Sequence, residues 1–165
     1  MSLRGNKIGS KGAAEVSKNT AWTELQKLDL SFNRIGPEGI EELRKNTTWI
    51  NLQALDLSRN PIEDLGAAEL SKNTVWGNLY VLNLKNCRIC EKGAAKLSKN
   101  KAWVKLQWLN LSENGIGGEG MTELNKNTTW TELQRLDLAY NSIGCYGARV
   151  GQICNLDKPT RAQPM

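Results

Sequence analysis

The sequence predicts an α/β solenoid, a right-handed arc with a parallel β-sheet on its concave face and α-helices on its convex face. Three observations carry that prediction. A six-residue segment with leucine at its first, fourth and sixth positions recurs every 27 residues without insertion or deletion. An asparagine or cysteine follows each segment at a fixed distance, and an amphipathic helical pattern closes each unit. A fixed period of this size is the signature of units that cannot bury an apolar face alone and must stack to do so.

The strands come first. Residues 25–30, 52–57, 79–84, 106–111 and 133–138 read Leu-x-x-Leu-x-Leu. Side chains alternate across a strand, so Leu28 and Leu30 and their counterparts point into a shared core. Asn33, Asn60, Cys87, Asn114 and Asn141 follow, each placed to satisfy backbone groups that the turn would otherwise bury unpaired. A thiol at Cys87 can donate weakly at the same place. Next come Ile35, Ile62, Ile89, Ile116 and Ile143, then Gly39, Gly66, Gly93, Gly120 and Gly147. A helix of about ten residues is expected to end near Leu43, Leu70, Leu97 and Leu124. Lys-Asn pairs at 18–19, 45–46, 72–73, 99–100 and 126–127 close the helices. The lysine suits the negative end of the helix dipole, and the asparagine is expected in the left-handed conformation that stops a helix. Trp22, Trp49, Trp76, Trp103 and Trp130 precede the strands and are expected to pack each return loop against the next unit.

The pattern L-x-x-L-x-L-x-x-N/C resembles the leucine-rich repeat. The strand, loop, helix and return loop of each unit resemble the ribonuclease-inhibitor-like class, which also occurs in Ran GTPase-activating proteins and NOD-like receptors. The resemblance covers residues 1–156, as a partial unit 1–24, units 25–51, 52–78, 79–105 and 106–132, and a degenerate unit 133–156. Residues 157–165 read as a tail. The unit length is constant, cysteine is sparse and the tryptophan row is additional, so the resemblance implies the fold more firmly than any activity. Leu3 and Asn6 align with Leu30 and Asn33, and uncapped ends leave self-association through the solenoid edges as an expectation.

Composition excludes several chemistries. The 165 residues contain no histidine, which removes His-based triads, His general bases and His metal ligands. Twenty-two basic against 17 acidic residues give a net charge of +5. No apolar run is long enough to span a bilayer and the first residues lack a signal-peptide core, so a reducing, cytoplasmic setting is expected. Cys87 and Cys90 form a C-x-x-C, but no second pair stands at metal spacing, so they read as structural thiols. Asp29 and Asp56 fall on adjacent strands, a proximity that could raise one pKa. No base stands beside Ser31, Ser58 or Ser112, and neither catalysis nor a cofactor or metal is expected. Glu15, Glu42, Glu69 and Glu123 stand three residues before a lysine and read as a charge-paired convex face rather than a phosphate-binding stripe. The sequons at Asn46, Asn110 and Asn127 read as by-products of the repeat. Neither a nucleic acid nor a membrane is an expected partner.

In a repeat array the constant positions serve the scaffold, and the positions that vary on one face are free for recognition. The concave position before the second strand leucine reads Lys27, Ala54, Val81, Trp108 and Arg135; the one before the asparagine row reads Phe32, Arg59, Asn86, Glu113 and Tyr140. Lys85 interrupts a row of small residues. Trp108 lies outside the tryptophan row and is expected to project toward solvent, with Val81 and Arg135 on the neighbouring strands. Aromatic residues and arginine dominate binding hot spots. The candidate partner-binding residues are therefore Trp108, Arg135, Tyr140, Val81, Lys85 and Lys27. The expected function is non-enzymatic protein recognition on the concave face. The alternatives are regulation of a small GTPase, which the resemblance permits, and a structural repeat module with no partner. Five strands offer about 360 Å² of sheet against about 800 Å² for a standard interface, so flanking loops or a longer array must contribute.

Overall fold

A computed structural model describes residues 1–144. The expectations that fall on Gly147, the end of the degenerate unit and the 157–165 tail lie outside the described residues. Helices and strands alternate as α1 (Gly9–Ser17), β1 (Lys27–Asp29), α2 (Pro37–Lys45), β2 (Ala54–Asp56), α3 (Glu63–Ser71), β3 (Val81–Asn83), α4 (Glu91–Leu97), β4 (Trp108–Asn110), α5 (Gly117–Leu124) and β5 (Arg135–Asp137). The strands form one parallel sheet in the order β1-β2-β3-β4-β5. Register is identical at every step, so Leu28, Leu55, Leu82, Leu109 and Leu136 form one row. Each helix packs on the helices of the adjoining units. Strands spaced about 4.8 Å apart, backed by helices about 9 Å apart, bend the stack into an arc with the sheet inside. The fold is the leucine-rich-repeat solenoid that the spacing predicts, although the helices are shorter than expected, at seven to nine residues.

The core is made from the predicted rows. Leu28 and Leu30, the isoleucines Ile35, Ile62, Ile89 and Ile116, and the helix leucines Leu43, Leu70, Leu97 and Leu124 are buried. Trp49, Trp76 and Trp103 are fully buried, and Trp22 and Trp130 pack against the same core. Their position between return loop and strand is the packing role that their repetition implies. The glycine row lets the helices approach. A Cβ at Gly66 would meet Ile62 Cγ2 at 2.5 Å and the Pro37 backbone of the preceding helix at 3.3 Å.

Two asparagine ladders tie unit to unit. In the first, Asn60 Nδ2 donates to Leu30 O at 2.9 Å and Leu57 O at 2.8 Å, while its Oδ1 accepts from the Asn33 and Ile35 amides. Cys87 keeps the donor side, its Sγ lying 3.3 Å from Leu57 O and 3.5 Å from Lys85 O. A single sulfur does not serve both amides that an asparagine oxygen serves, and the Ile62 amide turns instead to Asn60 O at 2.8 Å. The second ladder corrects an expectation. Asn46 is extended, with φ −65° and ψ 123°, and no asparagine of the Lys-Asn row has positive φ. The row works through its side chains. Asn46 Nδ2 donates to Ser17 O and Asn19 O of the preceding unit, and Oδ1 accepts from the Thr48 and Trp49 amides. Asn100 repeats this pattern. The sequon asparagines Asn46, in the second ladder, and Asn110, on β4, are buried.

The loops from strand to helix alternate although the sequence period does not. In α1, α3 and α5 the first helical residue, where the loop ends, has positive φ, namely Gly9 at 63°, Glu63 at 61° and Gly117 at 62°. Its amide donates to the next unit's ladder residue, as Glu63 does to Cys87 O at 2.9 Å. Before α2 and α4 the equivalent residues Gly36 and Cys90 are extended, with φ −92° and −107°. Their amides instead meet a side chain of the preceding helix, Ser10 Oγ at 3.1 Å and Asp64 Oδ1 at 2.7 Å.

Candidate functional site

The concave face presents the outward residues of each strand. Lys27, Ala54, Val81, Trp108 and Arg135 are partners in one register row, and Asp29, Asp56, Asn83, Asn110 and Asp137 form the next. The site residues Lys27, Val81, Trp108 and Arg135 are thus brought together. A groove of about 230 Å³ runs along the sheet, lined by Lys27, Ala54, Val81 and Trp108 with Asp29 and Asp56 beside them. Its floor is apolar, and Lys27 and Arg135 stand at opposite ends of the row.

Trp108 does not stand free in solvent as expected. It is half-buried, its Nε1 is covered and meets no protein acceptor, and the Arg135 guanidinium lies 5.3 Å from its ring centroid. Arg135 also approaches the Asp137 carboxylate at 4.0 Å. These contacts hold both side chains in place, so the tryptophan surface that remains open is pre-positioned.

Lys85 and Tyr140 lie elsewhere, beyond the strand ends. Lys85 Nζ is 2.8 Å from Glu113 Oε1, and Glu113 also accepts from Asn86 Nδ2 at 3.0 Å. The Lys85 and Asn86 bonds hold the Glu113 carboxyl below its ordinary range, although slight desolvation opposes them. Tyr140 is 84% exposed and, like Phe32, Arg59, Asn86 and Glu113, has positive φ near 55°. That left-handed backbone turns the whole row off the strand face onto the adjoining loop rim, which the alternation argument does not foresee.

The aspartate row is structural. Asp29 Oδ1 accepts from the Ser31 amide at 2.9 Å and the Ser31 hydroxyl at 2.7 Å, and Asp56 Oδ1 accepts from the Ser58 amide at 2.8 Å. Burial works to raise the Asp29 pKa, but the hydrogen bonds from Ser31 and Ser2 and the charge of Arg4 outweigh it and the pKa is lowered. The expectation of a raised carboxylate at this pair fails for Asp29, because donors surround its charge. Cys87 and Cys90 are free thiols, and burial pushes Cys87 up to about 12. Among the described residues no cluster of three histidine, cysteine, aspartate or glutamate side chains is placed to hold a metal ion, and no helix is long and apolar enough to cross a membrane.

Sequence reasoning passed over one cluster on the rim. The Phe32 ring carries the Arg4 guanidinium at 4.4 Å and the Arg59 guanidinium at 5.0 Å. Phe32 and Arg59 stand in the variable row, but Arg4 precedes the first complete unit and joins them only through the 27-residue stacking. A comparison with curated proteins finds no match. A family model described as Leucine Rich repeat matches residues 23–43, 50–71 and 105–124. These segments contain β1 with most of α2, β2 with α3, and β4 with α5, so the units that present Lys27, Ala54 and Trp108 match the leucine-rich repeat.

Proposed function

We propose that this chain is a non-enzymatic scaffold that recognises a protein partner on its concave face. The observation that carries the reading is the groove floored by Ala54, Val81 and Trp108, with Arg135 stacked on the tryptophan. A rigid aromatic side chain loses little freedom on binding, and an arginine already held beside it adds directed donors. The serines beside the groove support the same reading, since the Ser31 and Ser112 hydroxyls are committed to Asp29 and Asn110 rather than to a reacting atom. Leucine-rich repeats generally serve interaction, and the strand, loop, helix and return loop of each unit support the ribonuclease-inhibitor-like class.

The test pairs wild type with Trp108→Ala. A partner captured on the wild-type chain is titrated against both proteins by calorimetry. Trp108→Ala is expected to weaken binding by about 2 kcal/mol or more while melting stays close to wild type. Equal affinity with intact folding removes Trp108 from the interface.

A further inference from the structure

The loops from strand to helix form a rim along one side of the concave sheet, and the first four of its segments carry charge of one sign. Residues 4–7, 31–34, 58–61 and 85–88 contain Arg4, Lys7, Arg34, Arg59, Lys85 and Arg88 and no aspartate or glutamate. Lys85 is neutralised by Glu113, and Arg88 approaches Glu63 at 3.7 Å. Arg59 reaches Glu113 only at 3.9 Å. Among the described residues Arg4, Lys7 and Arg34 make no salt bridge within 4.0 Å. The open positive charge therefore gathers at the first units, around Phe32.

Phe32 gives that charge a shape. Its backbone is locked by the Phe32 amide donating to Ser58 O at 3.0 Å, and the left-handed φ of 57° sends the side chain onto the rim. Arg4 comes from the unit before and Arg59 from the unit after, and both guanidiniums lie over the one ring. A guanidinium stacked on an aromatic ring keeps its in-plane N–H groups available for a planar acceptor. Arg4 uses one of them on Ser31 Oγ at 3.4 Å, a long bond that leaves the others open.

We infer that the Arg4–Phe32–Arg59 rim binds an acidic peptide segment, rich in aspartate or glutamate, of the partner that the concave face recognises. The inference rests on the concave-face reading and names the chemistry of the partner. Two observations favour peptide carboxylates over a nucleic acid. The Phe32 ring is already engaged by two guanidiniums, which removes the free aromatic face that base stacking needs. Asp29 lies close enough for Arg4 to act on its charge, and Asp56 neighbours it in the sheet. That carboxylate row repels a long phosphate backbone laid across the sheet, whereas a short acidic peptide can stay on the rim. The rim also supplies contact area that the narrow sheet lacks.

A fluorescein-labelled octaglutamate peptide is titrated against the full chain at low and high salt, with fluorescence anisotropy as the readout. Wild type is expected to bind it, and the Arg4→Gln/Arg59→Gln variant to bind about tenfold more weakly. Phe32→Leu, which keeps both charges but removes the ring, is expected to fall between the two. Leu65→Ala, on the convex face, is expected to bind the peptide as wild type does; the titration uses no captured partner, so failure of the groove reading, seen with Trp108→Ala against that partner, and failure of this one are told apart. Circular dichroism checks folding, and Lys7→Gln/Arg34→Gln, two exposed positions, is expected to weaken binding as well. No binding by wild type at low salt overturns the proposal, as does equal binding by the arginine variant. An unlabelled oligonucleotide of equal charge that displaces the peptide more strongly than octaglutamate itself overturns it in favour of nucleic acid.

Discussion

Cys87 stands where Asn33, Asn60, Asn114 and Asn141 stand in the other units, and the neighbouring turn shows the difference. An asparagine both donates to two carbonyls and accepts from two amides, whereas the thiol keeps its donor contacts to Leu57 O and Lys85 O and leaves the Ile62 amide to Asn60 O. Cys87→Asn is expected to restore a side-chain acceptor to the Ile62 amide and to raise stability by about 1 kcal/mol in a denaturant titration. A loss of similar size would show that the turn after Asn60 has adapted to the thiol. At this scale the sequence is legible where one side chain has one job. The first ladder follows from the need to satisfy buried backbone. The second does not, because a Lys-Asn pair at a helix end reads equally as a left-handed stop, and only the extended backbone of Asn46 separates the two.

Among elements, strands and helices are legible from leucine spacing, and the loops between them are not. The unit length is constant, yet the entries to α1, α3 and α5 differ from those of α2 and α4. The signal lies in scattered residues: Gly9 and Gly117 permit positive φ, and Ser10 and Asp64 supply oxygens to the following loop. Glu63 occupies the glycine position of that first loop type at φ 61°, where a side chain is strained. Its ion pair with Arg88 at 3.7 Å is exposed and offsets little of that strain. Glu63→Gly is expected to stabilise the protein by about 1 kcal/mol, read as a higher melting temperature. A lower melting temperature would mean that the helix start, rather than the backbone strain, decides this position.

Across the whole molecule the division of labour follows from stacking. Positions that repeat are spent on the interface between units, which leaves the outward strand row and the loop rim to vary. The register row from Lys27 to Arg135 could be read from the sequence because strand alternation and a fixed period determine it. Tyr140, Phe32 and the other pre-asparagine residues could not be placed, because their left-handed backbone breaks the alternation on which such reading depends. The convex face has its own exposed apolar residue, Leu65 on α3 at 70%, and so offers an internal control for the concave assignment. Hydroxyl-radical footprinting of the chain with and without its captured partner compares the two faces directly. Binding is predicted to slow oxidation of Trp108 while Leu65 reacts at its free rate. Slowed oxidation of Leu65 with Trp108 unchanged would contradict the concave-face account.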